Sequence, residues 1–153
     1  CYIRMPRKAA QPVYDENYKF ALNKADVITK GNDITIVASG IMVAESLKAV
    51  LKLKEEGISA ELISANTIKP LDEETILNSI KKTNHVVTCE NHNVIGGLYS
   101  AVSEMLIEKY PLHVDKIAVM DQFGQVGKYS ELLNYYHLTS NDIYNVVKKN
   151  LNK

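Results

Sequence analysis

Short apolar runs alternate with longer amphipathic segments along most of the chain. Such runs are typical of strands covered on both faces, and apolar positions spaced by three and four are typical of helices. The runs begin at about Asp33, Ser59, His85 and Val114, and helical segments connect them. Because strands that alternate with helices are joined by right-handed crossovers, the pattern predicts an α/β fold in which these four strands are parallel.

The segments before the first of these runs differ from the repeating units. Residues 24–30 have the pattern of a short edge strand that could run antiparallel, since a Gly31-Asn32 turn follows it instead of a helix. Residues 10–23 are largely polar and contain Pro12, which indicates a linker. Residues 2–8 have the pattern of a strand stopped by Pro6, with no strand or helix before it. We therefore predict the end of a preceding domain over residues 1–9, a linker over 10–23 and one domain over 24–153, and the first residue, Cys1, hints at a fragment.

Helix ends and faces are predicted by single residues. Gly57 is expected to end the first helix, and Asp72 is a good N-cap for the second. The sequence assigns the N-cap of the last helix to Ser140. The predicted apolar face of the first helix consists of Val43, Leu47, Val50 and Leu51.

Composition excludes several classes of function. The 153 residues are 46% apolar and 24% charged, and 18 basic side chains balance 18 acidic ones. The zero net charge does not favour binding to nucleic acid or to a membrane surface, and the sequence has no long apolar run and no signal-peptide pattern. The two cysteines, Cys1 and Cys89, form no disulfide or metal framework, so we expect a cytoplasmic protein with Cys89 as a small core residue.

The stretch from His85 to Val102 carries the strongest candidate site. An apolar strand leads into Glu90-Asn91-His92, and Gly96-Gly97 then opens an amphipathic helix. Sites in parallel sheets lie at the carboxyl ends of strands. Glu90 and His92 could therefore form an acid–base pair, with the glycine N–H groups facing an anion. Alternatively, the glycines let the helix approach the sheet while Glu90 and His92 hydrogen-bond the surrounding loops, and the residues favour this second interpretation.

Three other patterns contain residues that could bind a ligand, and none completes a catalytic set. Ser39-Gly40 could bring a phosphate to a helix N-terminus or could be a tight turn. The loop from Asp121 to Gly127 has no base–nucleophile spacing, and Phe123 is expected to be an anchor at an interface or in the core. Arg4 and Arg7 could hold a phosphate or carboxylate, or could be two solvated cations.

Five segments occur together in one order: residues 2–7 (YIRMPR), 31–43 (GNDITIVASGIMV), 66–72 (NTIKPLD), 90–98 (ENHNVIGGL) and 121–127 (DQFGQVG). In this order and spacing they resemble the C-terminal part of transketolases, especially the C-terminal subunit of bacterial split transketolases. The resemblance covers nearly the whole chain. It implies a three-layer α/β/α domain with a mixed five-stranded sheet, four strands parallel and one edge strand antiparallel.

The resemblance also implies a function for a complete enzyme: two-carbon ketol transfer between sugar phosphates in the pentose phosphate pathway. In this family thiamine diphosphate and its Mg²⁺ bind between two other domains, whose motifs are absent here, so we expect this chain alone to bind neither and to be inactive. The expected partners are the N-terminal and pyrimidine-binding domains, in a homodimer. Arg7 is similar to a residue that contacts the sugar phosphate, and Arg4 belongs to the same motif. We expect the two loops at the carboxyl ends of the strands to lie near the subunit interface, with Glu90, His92, Gly96, Gly97, Asp121, Phe123 and Gly124 as candidate residues.

Two rival interpretations remain open at this point. One is a partner-docking C-terminal domain of a 2-oxoacid dehydrogenase beta subunit or of deoxyxylulose-phosphate synthase, because residues 66–72 do not separate these families. The other is an independent nucleotide-binding regulator, which only the fold class suggests.

Overall fold

The computed structural model describes residues 1–3 and 10–152, which fold around a central sheet flanked by helices. The elements in these ranges are β1 (Asp26–Thr29), β2 (Ile34–Ala38), α1 (Met42–Glu55), β3 (Ala60–Ser64), α2 (Glu73–Thr83), β4 (Val86–Asn93), α3 (Leu98–Lys109), β5 (Asp115–Val119), α4 (Tyr129–Tyr135) and α5 (Ser140–Leu151).

The five strands form one mixed sheet in the order β1-β3-β2-β4-β5. β1 lies at one edge and pairs with β3 in the antiparallel direction, whereas the pairings β2–β3, β2–β4 and β4–β5 are parallel. The predicted architecture is therefore confirmed, including the antiparallel edge strand. Its consequence for function is that β2, β3, β4 and β5 all end at the same edge of the sheet.

Helices cover both faces of the sheet. On one face α1 and α5 pack through buried apolar side chains that include Met42, Leu53 and Ile143. On the other face α2 and α3 do so through side chains that include Ile76 and Val102. The result is a three-layer α/β/α sandwich whose β2 is buried along its whole length, as its nearly continuous apolar sequence predicts.

Two helix N-termini show one cap that the sequence predicts correctly and one that it does not. Asp72 caps α2, and its carboxylate accepts a hydrogen bond from the Thr75 N–H. For α5, the predicted cap Ser140 is wrong, because the N-cap is Thr139. Thr139 and Asp142 hydrogen-bond each other's backbone N–H groups, at 3.3 and 3.0 Å. This reciprocal box needs an acid three residues after the cap, which Thr139 has and Ser140 lacks.

The predicted apolar face of α1 is confirmed at Val43 and Val50, which are buried, and at Leu47, which packs against the core, but it is wrong at Leu51. Leu51 is 57% exposed, whereas Leu53 is fully buried. The buried stripe runs through Met42, Ser46, Ala49 and Leu53. Leu51 lies outside this buried stripe.

Candidate functional site at the carboxyl edge of the sheet

The loops that follow β4 and β5 are joined at the carboxyl edge of the sheet. The Asn93 side-chain amide donates to the Asp121 carboxylate at 2.9 Å. The Val94 N–H donates to the Val119 carbonyl, also at 2.9 Å. The two segments singled out from the sequence therefore lie side by side, as expected for loops that leave neighbouring parallel strands.

Glu90 lies beneath this edge and caps a helix. β4 continues through the polar residues as far as Asn93, with a register shift against β5, and the Glu90 side chain is only 1% exposed. Its two carboxylate oxygens accept hydrogen bonds from the Leu98 and Tyr99 N–H groups, each at 2.8 Å. These N–H groups belong to the first turn of α3, where the helix dipole stabilises a negative charge. The buried carboxylate is thus placed to stabilise the start of α3.

Gly97 makes this arrangement sterically allowed. A Cβ atom at this position would lie 2.0 Å from the nearer Glu90 carboxylate oxygen. The φ of Gly97 is −100°, which other residues can also adopt, so contact with Glu90 and not backbone conformation requires glycine here. Gly96 has a φ of +77° and needs glycine for the turn itself. The double glycine therefore serves the packing of α3 against the sheet.

Glu90 and His92 do not form the acid–base pair considered from the sequence. His92 is exposed, and its Nδ1 lies 3.0 Å from the Asn93 carbonyl oxygen, whereas Glu90 is buried at α3. Cys89, next to them on β4, is fully buried, and burial raises the pKa of its thiol to about 12. Its thiolate is therefore not available as a nucleophile near neutral pH.

The loop over residues 121–127 is exposed along its whole length but has a defined shape. The Tyr136 hydroxyl accepts a hydrogen bond from the Gln125 N–H at 2.6 Å and donates one to the Phe123 carbonyl at 3.0 Å. Phe123 itself points outward and is 94% exposed. A large aromatic side chain is therefore presented to solvent by a loop that hydrogen bonds hold in place.

Phe123 is one of four exposed apolar side chains on or directly beside the two joined loops. We call the exposed apolar side chains of the two joined loops the apolar rim, and its members are Ile95, Met120, Phe123 and Val126. Gly124 lies in the same loop with open space around its Cα. Exposed apolar clusters of this kind mark contact surfaces for other proteins.

Comparison with known proteins assigns the chain to a family. Residues 23–143 match the model of the family described as "Transketolase, C-terminal domain". The chain belongs to the transketolase C-terminal domain family. The match covers most of the chain and confirms the resemblance drawn from the five sequence segments.

Relatives and a solved structure agree with this assignment. The chain is 46% identical over 142 residues to the 6-deoxy-6-sulfo-D-fructose transketolase subunit SqwH of Clostridium sp. (strain MSTE9), covering 93% of this chain and 44% of that protein. It is 35% identical over 143 residues to an apulose-4-phosphate transketolase subunit of Phocaeicola vulgatus, covering 93% of this chain and 46% of that protein. A split-gene transketolase solved as an inactive β4 tetramer superimposes with a TM-score of 0.90 at 41% identity, over 95% of this chain and 48% of that one. The chain thus spans about half the length of these transketolase proteins.

Of the remaining predicted site residues of this transketolase C-terminal domain, the structure describes Ser39 and Gly40 but not the two arginines. Ser39-Gly40 forms a tight turn, in which Gly40 has a φ of +56° and leads into α1. Arg4 and Arg7 lie outside the described residues, so their role stays a prediction. In the described part of the chain, no group of three or more His, Cys, Asp or Glu side chains could hold a metal ion. No described helix has the length and apolar character that a membrane crossing requires.

Sequence reasoning missed the residues that hold the two loops. Asn93 joins them, Ser100 accepts a hydrogen bond from the Gly96 N–H at 2.8 Å, and Tyr136 fixes the shape of the second loop. The contact of Ser100 with Gly96 could have been predicted, because the two residues are only four positions apart. The partners of Asn93 and Tyr136 are 28 and 11 to 13 residues away, so no local pattern indicates them.

Proposed function

We propose that this chain is the C-terminal domain of a thiamine-diphosphate-dependent transketolase assembled from separate sections. The complete enzyme would transfer a two-carbon ketol unit between sugar phosphates, as in the pentose phosphate pathway. This chain would supply packing and subunit contacts, and its partners would be the N-terminal and pyrimidine-binding domains in a dimeric enzyme. The described cysteines are free thiols, in keeping with a reducing, cytoplasmic location.

The apolar rim is the observation that carries the contact role. Phe123 is almost fully exposed although Tyr136 and the Asn93–Asp121 hydrogen bond order its surroundings. Ordering a loop in advance lowers the entropic cost of binding, and buried aromatic side chains dominate the energy of many interfaces. We therefore place Glu90, His92, Gly96, Gly97, Asp121, Phe123 and Gly124 at or directly behind the subunit contact.

The cofactor is assigned to the partner sections. Mg²⁺ binds oxygen ligands, and no group of three or more His, Cys, Asp or Glu side chains comes together within the described residues. The one fully buried carboxylate at the edge, Glu90, is already bound to the N-terminus of α3. We therefore propose that thiamine diphosphate and its Mg²⁺ bind to the partner sections, as the resemblance implies.

Arg7, with Arg4, is the proposed contribution of this chain to substrate binding. A guanidinium group recognises a terminal anion through paired hydrogen bonds and binds sulfonate and phosphate oxygens alike. The relative at 46% identity is named for a sulfonated ketose, so we propose 6-deoxy-6-sulfofructose as a second candidate donor beside ketose phosphates.

A complementation assay tests the proposal. The chain is assayed for ketol transfer with thiamine diphosphate and Mg²⁺, alone and after mixing with a section that carries the diphosphate- and pyrimidine-binding domains. The donors are xylulose 5-phosphate and 6-deoxy-6-sulfofructose, and the acceptor is ribose 5-phosphate. We expect activity only in the mixture. Activity of the chain alone would show that the cofactor does not bind to the partner sections as proposed. A stable but inactive mixture would favour a docking module of another enzyme.

A further inference from the structure

Residues 10–23, predicted to be a linker, are fastened to the fold by a cluster of polar side chains. Three donors converge on the Asp26 carboxylate: the Tyr18 hydroxyl at 2.6 Å, the Asn66 amide at 2.5 Å and the Tyr14 hydroxyl at 3.1 Å. Asp26 begins the edge strand β1, and Asn66 follows β3. We call these four residues the clasp.

Further contacts stiffen the clasp. The rings of Tyr14 and Tyr18 stack with centroids 3.9 Å apart, and the Ser64 hydroxyl donates to the Asn66 carbonyl oxygen at 2.8 Å. The hydrogen bond to Asp26 raises the pKa of the Tyr18 phenol, so its hydroxyl stays a donor at physiological pH. The clasp bridges residues 40 to 52 positions apart, so it fixes the path of residues 14–18 against the sheet.

A second attachment lies at the other end of the segment. The Ala25 N–H donates to the Asp72 carboxylate at 3.0 Å, and the Lys24 ammonium lies 3.6 Å from the same group. Ahead of the clasp, Val13 packs against the apolar layer of α1 and α5. The segment from Val13 to Ala25 is therefore held at both ends.

Large apolar side chains are exposed between and beside these attachments. Phe20 is 61% and Leu22 is 72% exposed, although both lie between the clasp and Ala25. Val27 and Ile68 are also exposed. Each lies within two residues of a clasp residue in the sequence, so its Cα atom lies within about 7 Å of the Cα atom of that clasp residue. Val27 and Ile68 therefore lie beside the clasp at the β1 edge, and Phe20 and Leu22 lie on the segment held between the clasp and Ala25.

We propose that residues 13–25 form a preformed strap, and that Phe20 and Leu22 dock against a folded domain joined to the chain ahead of residue 10. The inference rests on the proposed function, under which such a domain precedes the strap. This chain covers 48% of the split-gene transketolase chain, so about half of that protein lies outside the matched part. Because the chain enters the strap at Val13, a tethered domain would meet this corner at a high effective concentration.

The clasp is tested on the 153-residue chain by hydrogen exchange. Tyr18→Phe removes one hydroxyl, and Asn66→Ala removes the amide that bridges the clasp. We expect exchange of the amides of residues 15–24 to rise about fivefold for the first variant and more for the second. Tyr135→Phe on α4, at the other side of the molecule, is the matched control. Unchanged exchange in both clasp variants would overturn the strap.

Docking is tested in the complete subunit, a polypeptide in which the family's preceding domain is joined to residue 1. Chymotrypsin cleavage after Phe20 and Leu22 is followed in this subunit and in the 153-residue chain. We expect cleavage to be at least about tenfold slower in the subunit, since a docked site must open before it is cut. Equal cleavage rates would overturn the docking.

A pair of variants separates docking from general stability. Phe20→Ser combined with Leu22→Ser should lower the Tm of the complete subunit and restore fast cleavage of the strap at Tyr18. Leu51→Ser on α1, an exposed leucine away from the strap, should do neither. Cleavage does not depend on activity: a protected subunit that stays inactive after mixing with the diphosphate-binding section counts only against the transketolase proposal, and a mixture that is active but unprotected counts only against the docking.

Discussion

The two loops at the carboxyl edge of the sheet are neighbours with opposite character. At the start of α3, a buried carboxylate is matched by two N–H groups and by the missing side chain of Gly97. Across the Asn93–Asp121 hydrogen bond, the loop over residues 121–127 buries nothing and presents Phe123 to solvent. Both loops contain polar residues and glycines, so their sequences look alike.

The difference separates residues that stabilise the fold from residues that are free to contact a partner. Glu90 and Gly97 pack against each other inside the chain, so substitutions there should lower the free energy of unfolding. The Phe123 ring is exposed and is not buried within the chain, so a substitution there should change assembly with a partner. The following variants test this separation, beginning with the largest expected effect on stability.

Gly97→Ala should be the most damaging of the single substitutions. The added methyl group would lie 2.0 Å from a Glu90 oxygen, so either α3 or the carboxylate must move. Overpacking and the loss of charge-assisted hydrogen bonds together should lower the free energy of unfolding by about 4 kcal/mol. Urea denaturation followed by circular dichroism measures this loss.

Gly124→Ala is the matched control in the neighbouring loop. Gly124 has no neighbour that an added methyl group would meet, and its φ is not positive. We expect its free energy of unfolding to stay within about 0.5 kcal/mol of the wild type, as for most exposed substitutions. Equal losses for both alanines would contradict the contrast between the two loops.

Glu90→Gln should have a smaller effect than Gly97→Ala. The amide keeps the size of the side chain but loses the charge, and it turns an NH₂ group toward one of the two N–H donors of α3. We expect a loss of about 2 kcal/mol in urea denaturation. A variant as stable as the wild type would mean that the start of α3 does not need this carboxylate.

Tyr136→Phe should loosen only the exposed loop. It removes the hydroxyl that bonds Gln125 and Phe123 but keeps the ring, so the stability loss should be about 1 kcal/mol or less. Amide exchange in residues 122–127 should rise, whereas exchange in α3 should stay unchanged. Faster exchange in α3 would show that the two loops are not independent.

Periodicity and local signals were sufficient to predict most of the fold. The nearly continuous apolar runs predicted the buried strands, and Asp72 predicted the start of α2, because both depend on residues close in sequence. The first helix shows the limit: Leu51 fits the apolar stripe of Val43 and Val50, but it is 57% exposed whereas Leu53 is buried, because the packing against the sheet decides which side is covered.

The candidate site was predictable in position but not in its contacts. Strand order brought the loops together, as expected. The capping of α3 by Glu90 and the clasp around Asp26 were not predicted, because their partners lie about 8 to 40 residues away in sequence. The only sequence pattern that indicates the capping of α3 is an acidic residue followed by Gly96-Gly97 and an apolar helix. No pattern of neighbouring residues indicates the clasp.

Phe123→Asp tests the central claim most directly, that the apolar rim contacts a partner subunit. The variant should unfold with the same free energy as the wild type, within about 0.5 kcal/mol, because its side chain is exposed. Sedimentation velocity on the chain mixed with the cofactor-binding section should show assembly weakened at least about tenfold, as expected when a buried aromatic anchor becomes a charge. His92→Asp, nearer the edge of the same surface, should have a smaller effect. Assembly equal to that of the wild type in a fully folded Phe123→Asp variant would contradict the account.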